Sequence, residues 1–470
     1  MDLTLTEIAA ATGGDLLTAD GAIVVASFAI DSRTLERGAC FVALRDVRDG
    51  HDFVGHAFER GAAAALVERV TAGGPPGPLV VVEDVAAALA DLGRAARQRL
   101  AGAAVVGITG SAGKTSTKDL AAAALATRLA VHASPGSYNN ESGVPLTLLG
   151  APTRTEVIVA EMGARFAGNI AELCAVAEPQ VGVVTHVGLA HAEHLRGRAG
   201  IADVKGELLE ALPPEGLAVL AADDDLTPEL AARSAAPVVR VGIGRAPGTD
   251  VRIVAVQLDD ELRPRFRIES PWGAAEARLA VRGEHQALNA GMAVSAAVHL
   301  GVPFDDACQG LAAATGAAWR MQLEHSPAGV TVLNDAYNAS PTSMAAALRA
   351  FARLRPPGRR VAVLGAMLEL GVHAEAAHAE AGELAAGAGC DAIVVSGSIG
   401  TGPAAMAAGA RAAGATVIEV ADAAAALAAV VELVAPGDAV LVKASRAVGL
   451  EAVAAALVEG AADGRRADAR

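Results

Sequence analysis

The stretch Val105–Leu120 reads VVGITGSAGKTSTKDL. It is preceded by Ala103 and Ala104, so AAVVGIT forms a short apolar run rich in valine, the pattern of a strand buried on both faces. Gly110 and Gly113 follow, then Lys114 and Thr115, then residues suited to a helix. A buried strand that turns through glycines into a helix has the parts of a phosphate cradle. The glycines let backbone N–H groups turn toward an anion, and the helix points its positive end at it. Lys114 adds a point charge for the β/γ-phosphates and the Thr115 hydroxyl can bind magnesium. The spacing departs from G-x-x-x-x-G-K-[ST], because Ile108 stands five residues before Gly113. G-K-T is common by chance but much rarer between a buried strand and a helix, so nucleotide binding is predicted. The candidate loop is Thr109, Gly110, Ser111, Ala112, Gly113, Lys114, Thr115 and Ser116.

Outward from this loop the pattern alternates. Strand-like runs recur at EVIVAEM from Glu156, VGVVTHV from Val181 and GLAVLAA from Gly216, with helix-like runs between them. That rhythm predicts a parallel sheet with crossover helices. The segment from Asp250 to Gly283 breaks it and reads as a small antiparallel addition. A second series begins after Trp319, with strands VTVLND, RRVAVLG, DAIVVSG, TVIEVAD and DAVLVKAS, each followed by an Ala-rich helix. Five such pairs predict an open doubly wound domain. The fold class expected is α/β in three domains: a small N-terminal one at 1–102, a central ATP-binding one with a mostly parallel sheet at 103–318, and a Rossmann-like one at 319–470. The tail ADGRRADAR reads as frayed.

Composition narrows the function. The 470 residues are 53% hydrophobic and 3% aromatic with a net charge of −15, which excludes a disordered chain and argues against a nucleic-acid binder. The N-terminus lacks a basic n-region and reads as no secretory signal. The uncharged run from His285 to Phe304 carries Gln286, Asn289 and two histidines, too polar a load for a membrane span. The cysteines, Cys40, Cys174, Cys308 and Cys390, form no C-x-x-C and read as isolated core residues, so the cytoplasm is the expected compartment.

The chain holds four lysines, Lys114, Lys118, Lys205 and Lys443, against 34 arginines. Arginine serves well as a surface cation but poorly where a primary amine or compact ammonium is needed. Each lysine is therefore a candidate. Lys114 has its phosphate role. Lys118 reads as a helix-face cation. Lys205, in GIADVKGELLEAL, reads either as functional or as a surface lysine paired with Glu207 or Glu210. Lys443 ends a strand beside Ser445 and Arg446, where a sheet presents residues to a ligand. Glu161 and His191 lie at or just past strand ends and are candidate magnesium ligands, or else a solvated carboxylate and a surface histidine. In NDAYNASPTS, from Asn334, Asp335 could bind a ribose hydroxyl and Asn338 and Ser340 a substrate. Cap chemistry by Ser340 or Thr342 is the competing reading.

Together these pieces resemble the Mur ligase family of peptidoglycan synthesis, and within it the dipeptide-adding branch. The resemblance spans nearly the whole chain, through EIAAATGG, DSR, FVALRDVRDGHDF, GITGSAGKTSTKD, NNESGVPLTLL, AEMGA, VTHVGLAHAEHL, KGELLEALPPEG, GEHQALNA, RMQ, NDAYNASPTS, AVLGAMLELG and VLVKASR in order. It implies ATP-dependent joining of D-alanyl-D-alanine to UDP-N-acetylmuramoyl-tripeptide through an acyl phosphate, by a monomer. It further implies that Lys114 and Thr115 hold ATP and Mg2+, that Glu161 and His191 are metal ligands, and that Lys205 is carbamylated and supports a second magnesium. Lys114, Lys205 and His191 are the expected catalytic set. Asn289, Arg320 and Asp335 would contact the nucleotide, and Asp31, Ser32 and Arg33 the UDP-sugar. Asn140 would lie near the reacting groups, with Asn338, Lys443 and Arg446 facing the dipeptide or acyl-phosphate site. Ser142, Ala221 and Ala444 depart from the family pattern, as does the loop LRDVRDGHDF. The rivals are the neighbouring ligase that adds a single amino acid, whose D-[ND]-P-R motif is absent, and a P-loop binding protein without ligase activity.

Overall fold

Three main β-sheets follow one another along the chain. The computed structural model describes all residues except 18–19, 71–75, 190–191, 194, 196, 245–247, 398 and 462–470. His191 and the tail ADGRRADAR therefore lie outside the described residues.

The first sheet runs in the order Asp15–Leu17, Leu79–Val81, Ala64–Val67, Cys40–Val42, Phe28–Ala29. Its first pair is antiparallel and the rest are parallel. The helix Val85–Arg99 follows, capped by Asp84, whose carboxylate accepts the Ala87 N–H at 2.9 Å. Val85, Leu89, Leu92 and Ala96 form its buried stripe. The helix packs on Gly143–Gly150 and Asn169–Ala177 of the next region as well as on Leu5–Thr12 of its own. The last helix of the first region is thus also a floor for the second. Leu92→Ala would cost about 2–5 kcal/mol and loosen both.

The central sheet has nine strands. From one edge they are Val131–Ala133, Val157–Glu161, Ala104–Thr109, Val181–Val184, Leu217–Ala221, Val238–Ile243 and Val251–Leu258, all parallel. Pro264–Ser270 and Gly273–Arg278 then add antiparallel, but the first strand of the segment expected to be antiparallel, Val251–Leu258, pairs in parallel with Val238–Ile243 and so continues the main sheet. The chain leaves Ala104–Thr109 toward one edge and later returns to fill its other side. That makes its carboxyl end a switch point, where open α/β sheets bind ligands. The register sets Glu161 beside Ile108 and Val184 beside Thr109.

The third sheet runs Gln322–His325, Thr331–Asn334, Ala439–Lys443, Arg360–Leu364, Ala392–Ser396, Val417–Val420. The last five are the expected parallel strands. Gln322–His325 is an unforeseen antiparallel edge, too short and polar to read as a strand. The final strand slots between the first and second of the parallel five, so Asn334 pairs with Val442 and the residues just beyond, Asp335 and Lys443, become neighbours.

All four cysteines are free and buried, and burial pushes each thiol up to about 12. Among the described residues no helix is long and apolar enough to cross a membrane.

Candidate active site

The carboxyl ends of the central and third sheets open into one cavity of about 970 Å³, with Asp46 of the first region at its edge. The phosphate loop forms one wall. Gly110 has φ +147, and a Cβ there would collide with Thr185 Oγ1. Gly113 has φ +85, and a Cβ would lie 3.0 Å from Asn289 Oδ1. Both positions require glycine. Ser111 N–H donates to His186 O at 2.8 Å and its hydroxyl to Gly188 O at 2.8 Å, pinning the loop to the neighbouring strand end.

Lys114 opens the helix Lys114–Leu125 and donates to Gly110 O at 2.7 Å. Burial lowers its ammonium, with Glu161 opposing and Arg320 adding to the shift. The Thr115 hydroxyl donates to Glu161 Oε2 at 2.8 Å, and Asn139 Nδ2 donates to Glu161 Oε1 at 2.7 Å. Glu161 is 1% exposed. It is held at both oxygens within the fold, which removes the reading of a solvated loop carboxylate.

Lys205 lies on the helix Gly197–Glu210, is buried and lines the cavity. The surface-pair alternative fails. Glu207 accepts the N–H groups of Gly168 and Ala171, and Glu210 pairs with Arg233 at 2.9 Å. Burial pulls Lys205 down to about 7, helped by Lys114 and opposed by Glu207. Carbon dioxide reacts with the neutral amine, and a lysine near 7 keeps a large share neutral, where an ordinary lysine keeps about one in a few thousand.

On the facing wall Lys443 Nζ donates to Asp335 Oδ2 at 2.5 Å and Asn338 O at 2.9 Å. The other Asp335 oxygen accepts the Met321 N–H at 3.0 Å. Arg320 stacks on Tyr337 at 4.1 Å and reaches Ser137 Oγ at 3.4 Å, while Arg446 stacks on Trp319 at 4.2 Å. Trp319 and Met321 adopt left-handed φ of 60 and 52, an uncommon conformation for bulky residues. Trp319 O accepting the Tyr337 N–H holds the first, and the Asp335 bond holds the second. Ser340 caps Pro341–Phe351 in a capping box, so it and not Thr342 is the cap.

Ser111, Ala112, Gly113, Lys114, Thr115, Ser116, Asn140, Glu161, Lys205, Asn289, Arg320, Asp335, Asn338, Lys443 and Arg446 all line this cavity. Thr109 and Gly110 do not line it. Asp31, Ser32 and Arg33 lie outside it: Asp31 and Arg33 pair with each other at 2.7 Å in solvent, and Ser32 Oγ meets His56 Nδ1 at 2.9 Å.

Sequence reasoning missed Asn139, the first of the two asparagines, which is the one on Glu161. Asn140 instead accepts the Gly143 N–H at 3.0 Å. It also missed His186, whose Nδ1 lies 3.1 Å from Asp224 and whose Nε2 lies 3.3 Å from Thr342 of the third region. His186 and Asp224 each follow one of two adjacent strands, and that was the available signal.

Two family models match: the Mur ligase middle domain over residues 108–297, and the Mur ligase, glutamate ligase domain over residues 319–446. The chain is 42% identical to the UDP-N-acetylmuramoyl-tripeptide--D-alanyl-D-alanine ligase of Mycobacterium tuberculosis (strain ATCC 25618 / H37Rv), over 97% of this chain and 98% of the relative. It is 36% identical to the enzyme of the same name from Bacillus subtilis (strain 168), over 80% and 81%. A crystal structure of MurF from Acinetobacter baumannii superposes with a TM-score of 0.84 at 30% identity, covering 97% of this chain and 99% of that one. MurF ligase from Thermotoga maritima in complex with ADP gives 0.77 at 30% identity, covering 93% and 98%.

Proposed function

The chain belongs to the Mur ligase family, and we propose that it joins D-alanyl-D-alanine to UDP-N-acetylmuramoyl-tripeptide, driven by ATP. The observation that carries this reading is the shared cavity, where a phosphate loop, a buried Glu161, an amine-like Lys205 and the Asp335–Lys443 pair converge from two sheets. The names of the relatives supply the substrates.

The tripeptide carboxylate oxygen attacks the γ-phosphorus of ATP, and the bond from that phosphorus to ADP breaks. The amine of D-alanyl-D-alanine then attacks the acyl-phosphate carbon. Phosphate leaves and the amine gives up a proton. Lys114 and the loop N–H groups face the phosphoryl charge and positioning supplies most of the remainder. Asn289, Arg320 and Asp335 face the nucleotide. Lys443 acts through Asp335 and Asn338, since it donates to both, and Arg446 borders the dipeptide side. Asn140 stands near the reacting groups. Asp31, Ser32 and Arg33 hold the UDP-sugar in the first domain at 1–102, ahead of the ATP domain at 103–318 and the dipeptide domain at 319–470.

The residues fit magnesium. Thr115 and Glu161 offer hard oxygen donors 2.8 Å apart beside the phosphate loop, and Mg2+ takes one or two protein carboxylates and completes its shell with water and phosphate. Bound there, it would neutralise charge on the transferring phosphoryl group. His191 keeps its ligand role by motif alone. Lys205 as a carbamate would supply an anion beside this site, and its lowered pKa favours the amine that carbon dioxide needs. The enzyme acts as a cytoplasmic monomer.

ADP release tests the reading. Muramoyl tripeptide with D-alanyl-D-alanine should turn over, while muramoyl dipeptide, or a free amino acid in place of the D-alanyl dipeptide, should not. ATP turnover independent of both substrates would favour a P-loop binding protein.

A further inference from the structure

Lys118 does not lie on a solvated helix face. It is 3% exposed, one turn after Lys114 on the same helix. Its Nζ donates to Ser134 O at 2.8 Å and Gly136 O at 3.0 Å, and lies 3.0 Å from Asp119 Oδ1. An ammonium has three donors, and three acceptors stand here at hydrogen-bonding distance. Arginine's planar fork would not converge on two carbonyls of one turn and a carboxylate of its own helix.

The loop held this way, residues 134–140, leads directly into the site. Ser134 Oγ accepts the Glu161 N–H at 3.1 Å. Asn139 donates to Glu161 Oε1 and its own carbonyl accepts the Gly163 N–H at 2.7 Å. Ser137 meets Arg320. The helix that begins at the phosphate loop therefore grips, through Lys118, the loop that orients the Glu161 carboxylate.

We propose that Lys118 is a positioning residue for the metal side of the site: it fixes loop 134–140 against the phosphate-loop helix and so aims Glu161. This rests on the reading that Glu161 holds magnesium. Magnesium-dependent ADP affinity tests it without turnover. Calorimetric dissociation constants for ADP would be measured with and without Mg2+ on the full chain and on Lys118→Arg, Lys118→Met, Asn139→Ala and Glu161→Gln, alongside thermal unfolding. Lys118→Arg keeps the charge and remains informative if Lys118→Met does not fold.

The expected result is that Lys118→Arg loses about tenfold in the affinity gained from Mg2+, as one charge-assisted interaction is worth, while affinity without Mg2+ stays within about twofold. Asn139→Ala should show the same loss, and Lys118→Arg combined with Asn139→Ala should lose no more than either alone. A Lys118→Arg protein with an intact magnesium gain, or a double variant whose losses multiply, overturns the proposal. If Glu161→Gln keeps the gain, the assignment of Glu161 fails instead. If Glu161→Gln loses it and Lys118→Arg keeps it, only the role of Lys118 falls.

Discussion

Lys205 and Lys443 are both buried and line the same cavity, yet their surroundings are opposite. Lys443 spends its donors on Asp335 and Asn338. Lys205 has no hydrogen-bond acceptor for its Nζ among the described residues, and burial draws it down to about 7. A compensated buried lysine is a fixed cation that shapes the loop around it. An uncompensated one is a latent nucleophile. On the carbamate proposal, two residues of one type would serve as a strut and as a reagent, and their partners decide which.

The largest test of this contrast is Lys205→Ala. Its kcat should fall on the order of a thousandfold, the scale of losing one positioned transition-state stabiliser, with the fold retained. Short carboxylic acids should partly restore it by placing an anion where the proposed carbamate would stand, whereas Lys205→Arg should stay inactive because its side chain fills the space. Full activity of Lys205→Ala under depleted bicarbonate would erase the distinction. Lys443→Met should act first on the fold, leaving Asp335 without its cation and costing about 3–5 kcal/mol in denaturant unfolding. Carboxylic acids should not restore it.

Acid–base linkage sharpens the contrast further. The folded value of Lys205 is below that of a free lysine, near 10.4, so between the two the unfolded chain binds the extra proton. Stability should therefore rise from about pH 7 toward 10, by at most about 1.4 kcal/mol per unit, and that increment is lost as pH falls. Measured without bicarbonate, Lys205→Met should flatten this slope. The smallest effect belongs to a pair at the surface. Arg33→Ala removes the solvent-exposed partner of Asp31 and should leave the thermal midpoint unmoved, while raising KM for the UDP-sugar substrate if that surface binds it.

The parallel strands were legible because each is an apolar run buried on both faces, bounded by turn residues. The phosphate loop was legible because its glycines and lysine are adjacent in sequence. What stayed hidden was set by register. Asp335 and Lys443 are 108 residues apart and meet because one strand inserts between two others. Asn139 and Asn140 are chemically identical, and only loop geometry decides that the first reaches Glu161. The edge strand Gln322–His325 has no apolar alternation, and its pairing with Thr331–Asn334 defines it. Lys118 was conspicuous by its rarity, but its purpose lay in two backbone carbonyls that no side-chain pattern records.

The buried cysteines have a practical corollary. The thiolate is the form that attacks thiol reagents, and four shielded thiols held near 12 offer almost none at neutral pH. The native chain is therefore its own silent background for site-directed labelling. One cysteine placed at exposed Val47 and another at exposed Val372 would each take a maleimide dye selectively. The separation between the first and third regions could then be followed by energy transfer as nucleotide and dipeptide are added, with every native side chain of the cavity left in place.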